Sequence, residues 1–155
     1  LESLTITFSQ VLTDAMLTHF ANNKELRSLS IGCENITDEG LVYCARWKRL
    51  FALGLQRTKV RGPGIKHLIG LQNFTRLYLA HTEVDDEVMP FSGMLPNLGD
   101  LDLDYTNITD KGIIHLVPLK KLVRLGLTSD KVTRQGVAQL RELSGNRNEI
   151  RFRQN

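Results

Sequence analysis

Apolar residues recur along the chain in one pattern, apolar-x-x-apolar-x-apolar, which appears six times. The first members of the six copies are Leu1, Leu26, Leu50, Phe74, Leu98 and Leu122. They are separated once by 25 residues and then four times by 24 residues. Alternating apolar residues in a short segment predict a strand that buries every second side chain. The spacing therefore predicts one strand per unit, and Ile150 and Phe152 predict a seventh strand.

The second half of each unit predicts a helix that starts at a capping residue. The segments 36–41 (ITDEGL), 108–113 (ITDKGI) and 132–137 (VTRQGV) share this start. Oxygen-bearing side chains are expected to cap the first turn, and acids inside that turn suit the helix dipole. The predicted caps are Thr37, Asp85, Thr109 and Thr133, and the first-turn acids are Asp38, Asp86 and Asp110. In the third unit, Pro63 is expected near the first helical position.

These units predict a single domain of the α/β class. Stacked strand–helix units form a right-handed solenoid with parallel strands on its concave face and helices on its convex face. The predicted boundaries are 1–25, 26–49, 50–73, 74–97, 98–121 and 122–146, followed by a terminal strand at 147–155. The first segment carries no polar cap for the end of the stack. We therefore expect the sequence to be a fragment of a longer chain with a capping segment upstream.

The units, written L-x-x-L-x-L-x-x-T-x-I-T-D-x-G-L, resemble leucine-rich repeats. Thr58, Thr82 and Thr106 hold the Thr position of the repeat, in a form similar to bacterial leucine-rich-repeat proteins. Cys33 precedes Ile36 by three residues, as in the related cysteine-containing, ribonuclease-inhibitor-like repeats of F-box adaptors. We favour the bacterial type because no other unit has a cysteine there. The resemblance implies the solenoid fold and says little about function.

Composition and charge narrow the possible functions. The 155 residues are 41% hydrophobic and 24% charged, which is typical of a globular domain. The net charge of +3 comes from 20 basic and 17 acidic residues without a basic run, so the sequence does not favour binding to nucleic acid. No apolar stretch approaches the roughly 18 residues of a membrane span. Cys33 and Cys44 are predicted to be free thiols, and the compartment and oligomeric state stay open.

Side chains at the third, fifth and seventh strand positions are expected on the concave face, with the eighth position at its rim. Small side chains occupy these positions in the first half of the chain, and aromatic and charged ones in the second half. Aromatic and Arg side chains often dominate the energies of interfaces. The predicted partner-binding residues are Arg57, Arg76, Tyr78, His81, Asp100, Asp102, Asp104, Tyr105, Arg124 and Arg151.

Three aspartates on one predicted strand, Asp100, Asp102 and Asp104, form an acidic stripe. A calcium loop needs Gly at its sixth position and an acid at its twelfth, where this chain has Tyr105 and Lys111. No metal or cofactor is therefore predicted.

Basic residues flank the acidic stripe on both neighbouring strands. Arg76 and Arg124 lie level with Asp100, so we expect an Arg–Asp–Arg ladder across the three strands. This ladder would leave Asp102 and Asp104 as the acids free for a basic partner.

Catalysis is disfavoured. Cys33, His81 and Ser129 share the rim but are two strands apart, roughly 10 Å, where a nucleophile and its base need about 3 Å. His19, His67 and His115 are spaced by two units each and are not expected to share a metal ion.

The sequence thus predicts a non-catalytic module that binds another protein. Two alternatives stay open: a recognition or regulatory arm of a larger enzyme, such as a ubiquitin-ligase adaptor or a kinase, and a structural spacer.

Overall fold

The computed structural model of the chain describes residues 1–7, 12–145 and 149–153. Over these residues, strands form one parallel sheet in which neighbours in sequence are neighbours in space. The strands are β1 (Ser3–Thr7), β2 (Ser28–Gly32), β3 (Ala52–Gly54), β4 (Arg76–Tyr78), β5 (Asp100–Asp102), β6 (Arg124–Thr128) and β7 (Glu149–Arg153). The predicted α/β solenoid is confirmed. Residues 146–148 and 154–155, from the predicted sixth repeat and terminal strand, lie outside the described residues.

The repeated apolar positions lie in register across the sheet. The central row runs through Leu4, Leu29, Leu53, Leu77, Leu101, Leu125 and Ile150. From Leu29 to Leu125 these side chains are at most 1% exposed. The core is therefore one continuous column that each unit extends. The sheet face on the other side of this column is called the concave face below.

The segments that return from strand to strand are short and mostly of the 3₁₀ type. The 3₁₀ helices are Asp14–Met16, Asp38–Arg46, Pro63–Leu68, Asp86–Val88 and Ile114–Leu116; the α-helices are α1 (Leu17–Phe20), α2 (Met89–Ser92), α3 (Asp110–Ile113) and α4 (Arg134–Ser144). A 3₁₀ helix advances about 2.0 Å per residue and an α-helix about 1.5 Å. Because a 3₁₀ helix rises more per residue, a short repeat unit can cross the convex side of the solenoid with few residues. Hydrophobic spacing predicted the helical segments but did not distinguish their type.

The four predicted caps are confirmed. Each accepts a hydrogen bond from a backbone amide in the first turn that follows it. The pairs are Thr37 with Glu39, Asp85 with Glu87, Thr109 with Lys111, and Thr133 with Gly136. Pro63 follows the capping residue Gly62, at the first helical position, as predicted.

Aspartates in the first turn of a helical segment also form hydrogen bonds with the next unit. The Asp86 carboxylate accepts a hydrogen bond from the Thr109 amide at 2.8 Å and another from the Thr109 hydroxyl at 2.6 Å. Asp110 holds Thr133 with the same two distances. The same role falls to Asp14 and Asp38, which accept from Thr37 and from the amides of residues 61, 62 and 64. We call Asp14, Asp38, Asp86 and Asp110 the Asp clamp.

The Asp clamp explains the glycine of the repeated T-D-x-G motif. A Cβ on Gly112 would lie 2.2 Å from Oδ1 of Asp86, so a larger residue has no room there. The junction between the third and fourth units reverses the arrangement. There the aspartate position holds Gly62 and the glycine position holds Val88, and a Cβ on Gly62 would lie 2.3 Å from the Val88 side chain. At each of these two junctions, the space therefore holds either a side chain at the aspartate position or a side chain at the glycine position, but not both.

Trp47 and Leu143 share one repeat position with Leu71, Leu95 and Leu119, and this shared apolar position predicts that both are in the core. Trp47 is fully buried, and its indole Nε1 donates to the Phe20 carbonyl at 2.9 Å. Leu143 is 51% exposed, so its predicted burial is wrong. The reason is that it lies on α4, beyond which no described helix packs.

The two cysteines are free, as predicted, and both are buried. Burial raises the pKa of the Cys44 thiol to about 12, so this sulfur stays protonated and unreactive at neutral pH.

Within the described part of the chain, every helix is too short or too polar to cross a membrane.

Candidate functional site

The residues at the fifth strand position form a row across the concave face. In the C-terminal half of the sheet, this row contains Tyr78, Asp102 and Arg151 together with two glycines. Gly54 lies opposite Tyr78, Tyr78 opposite Asp102, Asp102 opposite Gly126, and Gly126 opposite Arg151. In β1 and β2 the same row holds only Thr5 and Ser30. The row therefore changes character along the solenoid, from small side chains to an aromatic ring, an acid and a base.

A cavity of about 250 Å³ opens on this row, and we call it the concave cavity. It is lined by Tyr78, Asp100, Leu101, Asp102, Arg124, Leu125, Gly126 and Arg151. Five of these residues are among the predicted partner-binding residues. Gly126 also lines the cavity but was not predicted, because a glycine has no functional group, although a glycine beside an acidic strand is itself a sign of open space.

The Asp100 carboxylate already accepts hydrogen bonds from two neighbouring side chains of the site. Its Oδ2 accepts from Arg124 Nη2 at 2.8 Å and Nε at 3.0 Å, and from the Tyr78 hydroxyl at 3.1 Å. Burial raises the pKa of Tyr78, and the adjacent Asp100 carboxylate raises it further. Tyr78 therefore remains a neutral hydroxyl whose proton points at Asp100, which leaves its oxygen able to accept a hydrogen bond.

Arg76 does not complete the predicted Arg–Asp–Arg ladder. Its guanidinium carbon lies 5.6 Å above the ring of Phe51, in a cation–π arrangement. Oδ2 of Asp100 is already shared by Tyr78 and Arg124. The ladder is therefore formed on the Arg124 side, and its prediction on the Arg76 side is wrong.

Asp104 was predicted to be free for a partner, and this is wrong. Its Oδ2 accepts from Arg151 Nη2 at 3.2 Å, and its Oδ1 accepts from the Thr128 amide at 2.6 Å. Arg151 belongs to β7 and reaches over β6 to make this contact. It can do so because Gly126 lies in between, where a Cβ would be 3.2 Å from the guanidinium nitrogen.

Asp102 is the acid of the stripe that forms no ion pair with any described residue. Its Oδ1 accepts from the Asp104 amide at 3.1 Å. Burial raises the pKa of Asp102, and the charges of Asp104 and Asp100 add to the increase against that backbone hydrogen bond and Arg151. The carboxylate is thus half-buried beside two other acids, and its negative charge is incompletely balanced.

Three predicted residues, Arg57, His81 and Tyr105, follow one another along the rim. All have left-handed backbone conformations, with φ of 60°, 59° and 58°. The rings of His81 and Tyr105 stack with centroids 4.4 Å apart and planes 13° from parallel. The sequence did not predict this conformation because Gly and Asn, its usual signals, are absent from these positions.

The rim residues considered for catalysis are not brought together. Cys33 is buried with its Sγ near the Ile6 carbonyl, at 3.8 Å, and Ser129 Oγ accepts from the Lys131 amide at 3.0 Å. His81 is occupied by its stack with Tyr105. In the described residues, no three side chains among His, Cys, Asp and Glu are grouped in a way that would hold a metal ion.

A second cavity, of about 510 Å³, lies at the N-terminal ends of the strands and was not predicted. It is lined by Arg27, Arg49, Phe51, Asn73 and Thr75. Arg27 pairs with Glu2 at 3.8 Å, and Arg49 pairs with Glu25. Both cations on this cavity therefore already have acidic partners.

Known proteins support the fold assignment. A family model described as Leucine Rich repeat matches residues 95–117. An internalin from Listeria monocytogenes (inlF) is 20% identical over 97% of this chain, with a TM-score of 0.66. A leucine-rich-repeat protein of Leptospira interrogans is 20% identical over 98% of the chain, with a TM-score of 0.70. A second Listeria internalin (inlC2) is 20% identical over 96%, with a TM-score of 0.63.

These likenesses concern the fold alone. The chain spans 48% of the length of the first internalin, 37% of the Leptospira protein and 73% of the second internalin. No curated protein matches the chain in sequence. The predicted leucine-rich-repeat architecture is confirmed, whereas the assignment to the bacterial-type subclass stays a prediction.

Proposed function

We propose that this leucine-rich-repeat chain is a non-catalytic module that binds another polypeptide through the C-terminal half of its concave face. The fold is consistent with such a role. The single observation that carries the proposal is the concave cavity, where an aromatic ring, a half-buried acid and two arginines line one opening on the sheet. Tyr and Arg side chains are enriched among those that dominate binding energies.

Preorganisation favours this surface for binding. The two arginines at the cavity are held by Asp100 and Asp104, and the Tyr78 hydroxyl is held by Asp100. Side chains that are already ordered lose less conformational entropy when a partner arrives. The small side chains of β1 and β2 offer neither this order nor comparable contact area.

The exposed rim extends the proposed surface. Tyr105 is 49% exposed, and its ring is held in place by the stack with His81. An ordered, exposed aromatic pair beside the cavity gives a partner further apolar area at low entropic cost. We include Arg57 in this rim, next to the concave-face residues, as a contact of the same partner.

A capture experiment with two matched variants tests the proposal. The chain is immobilised and exposed to lysate of its source cells, and retained proteins are identified by mass spectrometry. Tyr78→Ala/Asp102→Arg alters the fifth-position pair on β4 and β5. Thr5→Ala/Ser30→Arg makes equivalent changes at the fifth-position pair on β1 and β2. Circular dichroism and thermal unfolding first establish that both variants fold.

The expected result is a protein retained by the wild type and by Thr5→Ala/Ser30→Arg but lost from Tyr78→Ala/Asp102→Arg. Retention of the same proteins by all three forms would contradict the proposal, because binding would then lie elsewhere on the chain, and retention of no protein would favour a structural spacer. If the retained protein is a component of an enzyme complex, the module acts as the recognition arm of that enzyme.

A further inference from the structure

One carboxylate in the concave cavity, that of Asp102, forms no ion pair with any described residue, and this defines what the cavity can accept. Arg124 is neutralised by Asp100 at 2.8 Å, and Arg151 by Asp104 at 3.2 Å. Asp102 lies between these pairs without a cation of its own among the described residues. The charge of the Asp102 carboxylate is balanced only in part, by Arg151 and the Asp104 amide, while Asp104 and Asp100 oppose it, so this carboxylate favours a positively charged donor over an anion.

The hydrogen bonding of Asp102 favours an occupant that needs only one carboxylate oxygen. Oδ1 of Asp102 already accepts from the Asp104 amide. Its Oδ2 is the oxygen left for an incoming donor. A guanidinium binds best through two parallel hydrogen bonds to both oxygens, whereas an ammonium is a compact point charge that needs one.

A second acceptor lies across the strand from Asp102. Tyr78 is the register partner of Asp102, and its hydroxyl donates to Asp100, so the hydroxyl oxygen can accept from a new donor. A metal ion is a poorer candidate, because the acids of the described residues are not grouped for metal coordination. A cavity of about 250 Å³ has room for one side chain rather than for a folded element.

We propose that the concave cavity receives a lysine side chain of the polypeptide partner, with its ammonium group between the Asp102 carboxylate and the Tyr78 hydroxyl. This inference rests on the proposed function, because it assumes that a polypeptide lies on the concave face. It adds the chemical identity of the central contact: a lysine preferred over arginine and over any uncharged residue.

Peptides selected from a random dodecapeptide display library on the wild-type chain provide the probe. The expected result is a lysine at one recurring position of the enriched peptides. Affinity is then measured by titration calorimetry for an enriched peptide and for the same peptide with norleucine or arginine in place of that lysine. Each peptide is tested on the wild type and on Asp102→Asn, with Asp130→Asn as the matched control at an exposed acid.

A double-mutant cycle isolates the contact. Asp102→Asn is expected to weaken the lysine peptide by at least about tenfold and to leave the norleucine peptide within about twofold, while Asp130→Asn changes neither. The arginine peptide is expected to bind more weakly than the lysine peptide. Affinity for the lysine peptide is also expected to fall as the pH is lowered through the pKa of Asp102, where the carboxylate loses its charge.

The outcomes separate this inference from the proposed function. If enriched peptides lose affinity for Tyr78→Ala/Asp102→Arg but contain no recurring lysine, or if Asp102→Asn weakens the lysine and norleucine peptides equally, the lysine proposal is overturned and the interaction module stands. If the enriched peptides bind Tyr78→Ala/Asp102→Arg as well as the wild type, or if no peptide is enriched, both proposals fail.

Discussion

Aspartates serve two regions of this molecule in different ways. In the Asp clamp, an aspartate at the start of a helical segment accepts hydrogen bonds from the backbone of the next unit. On and just after β5, three aspartates occupy alternate positions of a single unit. Two of them pair with Arg124 and Arg151, and Asp102 is left without an ion pair among the described residues.

The difference separates residues that the fold requires from residues that it does not. Junctions between units leave backbone amides that need an acceptor, so the clamp recurs at every junction except the one between the third and fourth units, where Gly62 takes the aspartate position. No such requirement produces the stripe on β5, since the other strands form without it. A feature found in one unit of a repeating chain is therefore a better candidate for binding than one found in all.

Breaking the Asp clamp is expected to cause the largest loss of stability. Asp86→Ala removes the acceptor of the Thr109 amide and hydroxyl, and hydrogen bonds to a charged group contribute about 1.5–3 kcal/mol. We expect the free energy of unfolding, measured by urea titration, to fall by about 2–3 kcal/mol. Asp130→Ala, at an exposed acid, is the control and should change it by less than about 0.5 kcal/mol. Equal effects of the two substitutions would contradict the stabilising role of the Asp clamp.

Filling the clamp's space is expected to have the next largest effect. Gly112→Ala puts a Cβ within 2.2 Å of the Asp86 carboxylate, and overpacking of this kind costs about 1–3 kcal/mol. The double variant Asp86→Gly/Gly112→Val copies the Gly62–Val88 pair of the other junction. We expect it to unfold at a higher urea concentration than the sum of its single substitutions predicts. Strict additivity of the two substitutions would show that the two positions do not share one space.

Relieving the left-handed backbone conformation at the rim is expected to have a smaller effect, and this effect is a gain in stability rather than a loss. Arg57 is exposed and has a φ of 60°, a conformation that costs a residue with a Cβ about 1 kcal/mol relative to glycine. We expect Arg57→Gly to be about 1 kcal/mol more stable than Arg57→Ala in urea unfolding, since both lack the Arg side chain. If Arg57→Ala is the more stable of the two, the backbone conformation carries no strain.

The smallest expected effect is that of Asp102→Asn on stability. Because burial raises the pKa of Asp102 in the folded state, the folded chain holds that proton more tightly than the unfolded chain. Stability due to this group is therefore present at low pH and is lost as the pH rises through the raised pKa. Asp102→Asn should have a slightly higher Tm than the wild type at pH 7, and the difference should shrink below the ordinary pKa of Asp. A lower Tm for Asp102→Asn at pH 7 would contradict the unbalanced charge.

Periodicity accounts for what the sequence predicted well. The strands, the Leu row of the core and the four caps recur with the repeat, so the same prediction is supported by several units. Arg76 and Asp104 were misplaced because their partners depend on side-chain conformations and on neighbours that do not recur. Arg76 lies over Phe51, and Asp104 receives Arg151 from two strands away across Gly126. Leu143 was misplaced because periodicity does not show where the packing of helices ends.

The central claim is that the aromatic and charged half of the concave face is the binding surface. It is tested most directly by mapping amide chemical-shift changes in the ¹⁵N-labelled chain as a captured partner or an enriched peptide is added. We predict that the largest changes occur at Tyr78, Asp102, Gly126 and Arg151, while Thr5 and Ser30 at the other end of the same row stay unchanged. Changes centred on Thr5 and Ser30, or confined to the helical side of the solenoid, would contradict the account.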